Sequence, residues 1–225
     1  MAGGWGEFGL AYLVFLLTHA VPTQTSLKPR LTKALGRPAY GALYGLVSVA
    51  ALAWLIVAAG RAPFMPILGF ASWQMATPFV LMVPACLLVT FALGRPNPYS
   101  FGGVRNERYN PAYPGVVRFT RHPLLAAIAL WSLSHALANG DLAHLLLFGG
   151  FFAFSLLGMV MINRRHRGAP WQPSLTPVER MSASAIALRT ALGLAVYAGA
   201  MIVHPWIAGV DILPLGHSLL ARFGA

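Results

Sequence analysis

The stretch LAHLLLFGGFFAFSLLGMVMI, Leu142 to Ile162, decides the fold: it holds no Asp, Glu, Lys or Arg. At about 1.5 Å of rise per residue, a helix of this length covers roughly 30 Å, the thickness of a bilayer's hydrocarbon core. In lipid the backbone must satisfy its own hydrogen bonds, so the run reads as a helix rather than a strand. Five more apolar segments accompany it. They run from about Phe8 to Leu27, entered through Trp5 and weakened by Pro22; Ala39–Gly60; Met75–Gly94, just after Trp73; about Val116 to Ala138, with Pro123 near its start; and about Leu188 to Gly209. The first and fourth are interrupted by Pro and polar residues. No Lys or Arg precedes the first segment, so residues 5–27 read as a retained helix rather than a cleaved signal.

Composition agrees. Of 225 residues, 57% are hydrophobic and 9% charged, against about 25% charged in soluble domains. Mean hydropathy is +0.66. A soluble fold of this size could not cover so much apolar surface. The net charge of +11 is a signature that nucleic-acid binders share. Here, however, the basic residues fall in the connections, where membrane topology puts them.

Those connections alternate. Lys28, Arg30, Lys33 and Arg37 follow the first segment; Arg95, Arg105, Arg108, Arg118 and Arg121 follow the third; Arg164, Arg165, Arg167, Arg180 and Arg189 follow the fifth. Arg61 and Arg222 are the only basic residues on the other side. The bias makes the first, third and fifth connections cytoplasmic. The expected architecture is an all-α integral membrane protein: one polytopic domain over 1–225, six transmembrane helices, both termini non-cytoplasmic, and the lipid bilayer as its principal partner. Nucleic acid is not expected.

The single cysteine, Cys86, lies inside an apolar run, so neither an intramolecular disulfide nor a multi-cysteine metal site is possible. No phosphate-binding loop, dinucleotide fingerprint, HExxH or nucleophile elbow is present, and the five acids are scattered. Histidine remains. His19, His122 and His135 lie in or near apolar segments, and His144 and His204 sit close to segment ends. An ionisable group within a membrane defaults to function, and histidine is a standard axial ligand of haem iron. A packed histidine hydrogen-bonded to a neighbouring helix explains His19 and His135 equally well. Arg121-His122-Pro123 opens the fourth helix, where Pro costs nothing and Arg121 could hold a carboxylate or phosphate or simply anchor the interface. Asn139-Gly140-Asp141 reads as a tight turn, with Gly as C-cap and Asp as N-cap. The segment Arg95–Phe119, rich in Pro, Gly, Asn and Tyr, is a long connection of the kind that often carries function. The basic stretch Asn163–Ser184 reads as a headgroup anchor.

Several stretches together resemble the NnrU family: His19; Leu35-Gly36-Arg37-Pro38-Ala39-Tyr40-Gly41-Ala42-Leu43-Tyr44-Gly45-Leu46-Val47-Ser48; Thr120-Arg121-His122-Pro123; and Leu130-Trp131-Ser132-Leu133-Ser134-His135-Ala136-Leu137-Ala138-Asn139-Gly140-Asp141-Leu142. The similarity covers about residues 12 to 165 and fades after that, before the C-terminal helix at about 188–209. The resemblance implies a multi-pass protein of the bacterial inner (cytoplasmic) membrane linked to nitrogen-oxide metabolism in denitrification, in particular to the nitric oxide reductase system. The family is similar to the zeta-carotene isomerases, membrane haem b proteins that turn a cis double bond of a polyene to trans. That similarity implies haem b here, with His19 and His135 as iron ligands and with Arg121 and His122 near the cofactor. It leaves His122 as an alternative partner for His19. Three functions stay open: a haem protein of nitric oxide metabolism, a redox-dependent isomerase with an apolar polyene substrate, and a non-catalytic assembly or regulatory subunit. The isomerases carry a cysteine where this chain has Ser132, which tells against a sulfur ligand.

Overall fold

The computed structural model describes residues 4–69, 71–165 and 181–214. Among them it is helical, and the nearest thing to a strand is an isolated bridge between Pro66 and Asp141. In chain order the helices are α1 (Trp5–Gln24), α2 (Leu27–Leu35), α3 (Arg37–Arg61), α4 (Ser72–Ala92), α5 (Pro123–Asn139), α6 (Leu142–Arg165) and α7 (Ala183–Ala208). Four of them, α3, α4, α6 and α7, are long and apolar enough to cross a membrane. α5 is apolar but has 17 residues, about 25 Å of helix. α1 has 20 residues, with Glu7 in its first turn and Pro22 inside it.

Two boundaries differ from the sequence expectation. The first segment does not run to Leu27: α1 stops at Gln24, and α2 follows as a separate helix with no buried residue and with Lys28, Arg30 and Lys33 exposed. The fourth segment does not start at Val116. Gly115–Arg118 is a 3-10 turn, and α5 begins at Pro123, after His122 at φ −124°, ψ 61°. The residue before a proline is pushed out of the helical region, so the helix cannot extend upstream of it. α7 also starts earlier than expected, at Ala183, where the Ser182 hydroxyl accepts the Ala185 N–H at 3.3 Å. Arg189 therefore lies within a helix rather than a connection. Most of the expected headgroup anchor, along with His166, His217 and Arg222, lies outside the described residues.

Cross-helix contacts fix the directions. Arg61 of α3 meets Glu7 of α1 at 3.5 Å, and Tyr44 of α3 meets His19 of α1, so the two run antiparallel. On α5 and α6, Leu125 faces Gly158 and Trp131 faces Phe148 and Phe151, which is antiparallel too. Thr90 with Arg189 and Phe79 with Tyr197 do the same for α4 and α7. Tyr12 and Phe15 of α1 meet Leu146 and Phe151 of α6, so those two run parallel. The bundle thus gathers Arg95, Arg121, Arg164 and Arg189 at one end, the arginine end, and leaves Arg61 at the other. At that other end, the Gly140 carbonyl accepts the N–H of Ile67 and Leu68 at 3.0 and 2.9 Å, and Leu142 N–H donates to Met65 at 2.8 Å. This straps the α3–α4 connection over the α5–α6 turn.

α5 is the inner helix. Leu125, Ala127, Ala129, Ser132 and Ser134 are buried on it, whereas α7 buries only Gly193. Small residues let membrane helices approach closely, and Ser132 and Ser134 return their hydroxyl protons to carbonyls of their own helix, at 2.7 Å (Ile128) and 2.8 Å (Trp131). The main core lies between α1, α3 and α6, around Phe8, Leu55, Leu147 and Phe148.

Candidate functional site: histidines in an aromatic layer

His19 is half-buried on α1. Its Nδ1 lies 2.8 Å from the carbonyl of Phe15, one turn earlier. A carbonyl only accepts, so Nδ1 carries the proton and the neutral ring's lone pair sits on Nε2. His135 repeats this arrangement on α5, with Nδ1 2.8 Å from the carbonyl of Trp131. His204 donates from Nδ1 to the Val210 carbonyl at 2.8 Å. His144 has Nδ1 2.6 Å from Oδ2 of the buried Asp141. Four rings thus share one tautomer, with the proton fixed on Nδ1. That second bond is the one ligating histidines use to hold their orientation and raise the basicity of the donor nitrogen.

An aromatic layer connects the rings. His19 lies 4.4 Å from Phe15, Phe15 5.2 Å from Phe151, Phe151 5.4 Å from Trp131, and Trp131 5.7 Å from His135, measured between ring centres. Phe148 stands between His135 (5.1 Å) and His144 (6.1 Å). His144 and His204 each lie within electrostatic reach of His135, in the half of the bundle away from the arginine end. Among the described residues, no three His, Cys, Asp or Glu side chains converge on a point where a metal ion could sit.

The donor chemistry at His19 and His135 suits an axial position on haem iron, which takes a neutral imidazole nitrogen. Phe15 and Trp131 both meet Phe151 and so lie at one level, and His19 and His135 are each one turn away from it in opposite directions. They therefore differ in depth by about 12 Å, with the aromatic wedge between them.

His122 is different. It is buried at the start of α5, with Nε2 3.0 Å from Oδ1 of Asn163 and Nδ1 2.9 Å from the Ser100 hydroxyl. Arg121 also donates to that Asn163 oxygen, at 2.9 Å, which marks it as the acceptor and His122 Nε2 as a donor. Both ring nitrogens of His122 thus carry hydrogen bonds. Arg121 lies 5.0 Å over the ring of Tyr99, and its carbonyl accepts from Asn97 Nδ2 at 3.1 Å. Asn106 Oδ1 closes the knot by accepting the Asn97 N–H at 2.9 Å. Asn97 and Ser100 fall in the Arg95–Phe119 connection, and Asn163 ends an apolar run, but their partners lie far along the chain and no local pattern joins them. Phe15, Trp131, Phe148 and Phe151 together make up the aromatic layer. Ser132 is fully buried, bonded to its own helix, and offers no ligand.

Among the described residues the fold is all-α, with four helices long and apolar enough to cross a membrane and with imidazoles packed among aromatic rings. The chain belongs to the NnrU family, whose model, described as NnrU protein, matches residues 7–212. The match extends past residue 165, where the resemblance was expected to fade, through the last helix. No curated protein and no solved structure matches the chain.

Proposed function

We propose that this protein is a haem b protein of the bacterial inner membrane, spanning it six times with both termini outside the cytoplasm, and that it serves nitric oxide metabolism in denitrification. Support for the topology is the gathering of basic side chains at one end of alternating helices. α1 and the short α5 would make up the six spans, with α2 lying along the interface. The cofactor proposal rests on one observation: His19 and His135 each fix the proton on Nδ1 with a 2.8 Å bond to the carbonyl one turn back. The link to nitrogen oxides rests on what the resemblance to the NnrU family implies.

With the two rings about 12 Å apart in depth, one imidazole per iron is favoured over a shared iron. His19 or His135 would hold the haem, which would supply binding of a diatomic molecule such as nitric oxide. The chain's part is to hold the imidazoles. The Phe15 and Trp131 carbonyls keep the lone pairs on Nε2, and Trp131, Phe148 and Phe151 exclude water beside them.

The test is the absorption spectrum and haem content of the detergent-purified protein, oxidised and dithionite-reduced, beside His19→Ala and His135→Ala. A Soret band that falls by about half in each variant supports one imidazole per iron. Complete loss in both variants would replace that arrangement with a shared iron. A colourless protein that takes up no added haem would sink the cofactor. It would favour a non-catalytic assembly or regulatory subunit, for which the filled aromatic wedge is the favouring observation.

A further inference from the structure

The chain carries no Asp, Glu, Lys or Arg from Ala62 to Gly94, so the whole connection between α3 and α4 is uncharged. Its large side chains are nevertheless turned outward: Phe64 is 75% exposed, and Ile67 and Trp73 are each 55% exposed. An exposed apolar run of this kind marks a surface that meets another apolar phase. The backbone beneath it is provided for by protein. Pro63 and Pro66 have no N–H to satisfy. The Ile67 and Leu68 N–H groups donate to the Gly140 carbonyl, and the Met65 carbonyl accepts the Leu142 N–H. The Ala71 N–H donates to the side-chain oxygen of Gln74, which is buried, at 2.5 Å. None of these groups needs water.

The length of α5 sets the depth. Its 17 residues rise about 25 Å, about 5 Å less than the hydrocarbon core of a bilayer. Its first turn follows the polar knot of Arg121, His122 and Asn163, which belongs at headgroup level. The shortfall therefore falls at the other end, where Gly140 and Asp141 are buried. Non-helical backbone at membrane depth is tolerated where it is buried in protein, and the α3–α4 connection is what buries this turn. The exposed apolar positions of the connection also continue those of both flanking helices, such as Val57 of α3 and Val80 of α4. Trp73, with an apolar ring and one N–H, is the kind of side chain that gathers where acyl chains meet headgroups. We propose that the α3–α4 connection is a lipid-seated strap. Its backbone lies on the α5–α6 turn, and Phe64, Ile67 and Trp73 dip into the leaflet opposite the arginine end, against acyl chains rather than water or another protein. The proposal rests on reading α3, α4 and α6 as spans.

Spin-label accessibility in phosphatidylcholine nanodiscs tests it on the full chain. The background is Cys86→Ser, and labels go singly on Phe64→Cys, Ile67→Cys, Val80→Cys and Glu107→Cys. Oxygen, being apolar, concentrates among acyl chains, whereas a nickel chelate stays in water. Labels at Phe64 and Ile67 should meet oxygen more than nickel, as should the one at Val80 within α4. The order should reverse at Glu107, which is exposed in the 3-10 turn Asn106–Arg108. A Val80 label that follows nickel would show that α4 is not in the bilayer, and the strap would fall with the spans. A Val80 label that follows oxygen, with both connection labels following nickel, would put the strap in water and overturn it while leaving the spans intact. Low accessibility to both reagents at Phe64 and Ile67 would show that protein covers the patch, a second copy where the labels also broaden one another, and would overturn it as well. Two connection positions keep the outcome independent of how one variant folds.

Discussion

His122 and His135 bracket the same helix and use their rings in opposite ways. His122, just before α5, gives both nitrogens to side chains from other parts of the chain, Ser100 and Asn163. His135, near the end of α5, spends one nitrogen on a carbonyl of its own helix and places the ring among aromatic neighbours. A histidine in a membrane is costly unless it is paired or functional. What separates the two cases is whether the ring stitches distant segments together or is merely oriented. The first ring is tied to distant segments through both nitrogens, and the second is held by its own helix.

The sharpest way to break that contrast is to remove each ring and compare stability. His122→Ala strands the Ser100 hydroxyl and takes a donor from Asn163, both linked into the knot through Arg121 and Asn97. It should cost about 3 kcal/mol and lower the melting temperature in detergent by several degrees. His135→Ala removes one bond within a helix and should cost less than about half of that, while still losing haem absorbance. If the two variants melt alike, the division between the two histidines is wrong.

Next comes the loop that supports His122. A Cβ added at Gly103 would lie 2.5 Å from the Asn97 carbonyl oxygen and 2.8 Å from the Asn97 nitrogen. Both are main-chain atoms of the residue that bonds Arg121, and they cannot step aside as a side-chain tip could. Gly103→Ala should therefore destabilise by about 2 kcal/mol, read as a lower melting temperature, without changing a haem spectrum. Gly149→Ala, with no atom within 4 Å of the added carbon, is the control on the other side of the contrast.

How legible the two ends were in sequence follows from the range of their interactions. The apolar runs of α3, α4, α6 and α7 could be read directly, as could the turn at Asn139-Gly140-Asp141. There Gly140 takes φ 70° and Asp141 Oδ1 accepts the His144 N–H at 3.3 Å, because capping depends on neighbours within four residues. The orienting bonds of His19 and His135 are equally local, so their type and place suggested a role before any fold was known. α2 was hidden because Pro29 and its cations resemble a connection. The knot was hidden because His122 and Asn163 are 41 residues apart. What the sequence could not supply was the wedge of Phe15, Phe151 and Trp131, which comes from three helices.

Ser132 offers a smaller test on the His135 side. Its hydroxyl bonds to Ile128 and Ala129 on the same helix, so Ser132→Ala should change stability by less than about 1 kcal/mol. Ser132→Cys places a thiol at the same position. With the side chain turned back along α5, it should leave the spectrum as it is. Appearance of a thiolate-ligated spectrum would show that this face of α5 reaches a cofactor after all.

The smallest expected effect belongs to the arginine end. Tyr109 stands edge-on to Tyr99, with ring centres 5.4 Å apart. Burial first, then the charge and hydrogen bond of Tyr99, push its phenol from the ordinary 10.0 up to about 12. A phenol that holds its proton more tightly when folded contributes stability that is complete below its unfolded value. That contribution disappears as pH rises from 10 through the folded value. Wild type and Tyr109→Phe should therefore differ by a constant amount in melting temperature up to about pH 9, and the wild type should lose ground between about pH 10 and 12. Because Tyr99 also lies under Arg121, that loss would loosen the knot around His122 and leave His135 unaffected. Haem absorbance that followed the same pH profile would mean the two ends of α5 are coupled, and the contrast between them would then describe one site rather than two.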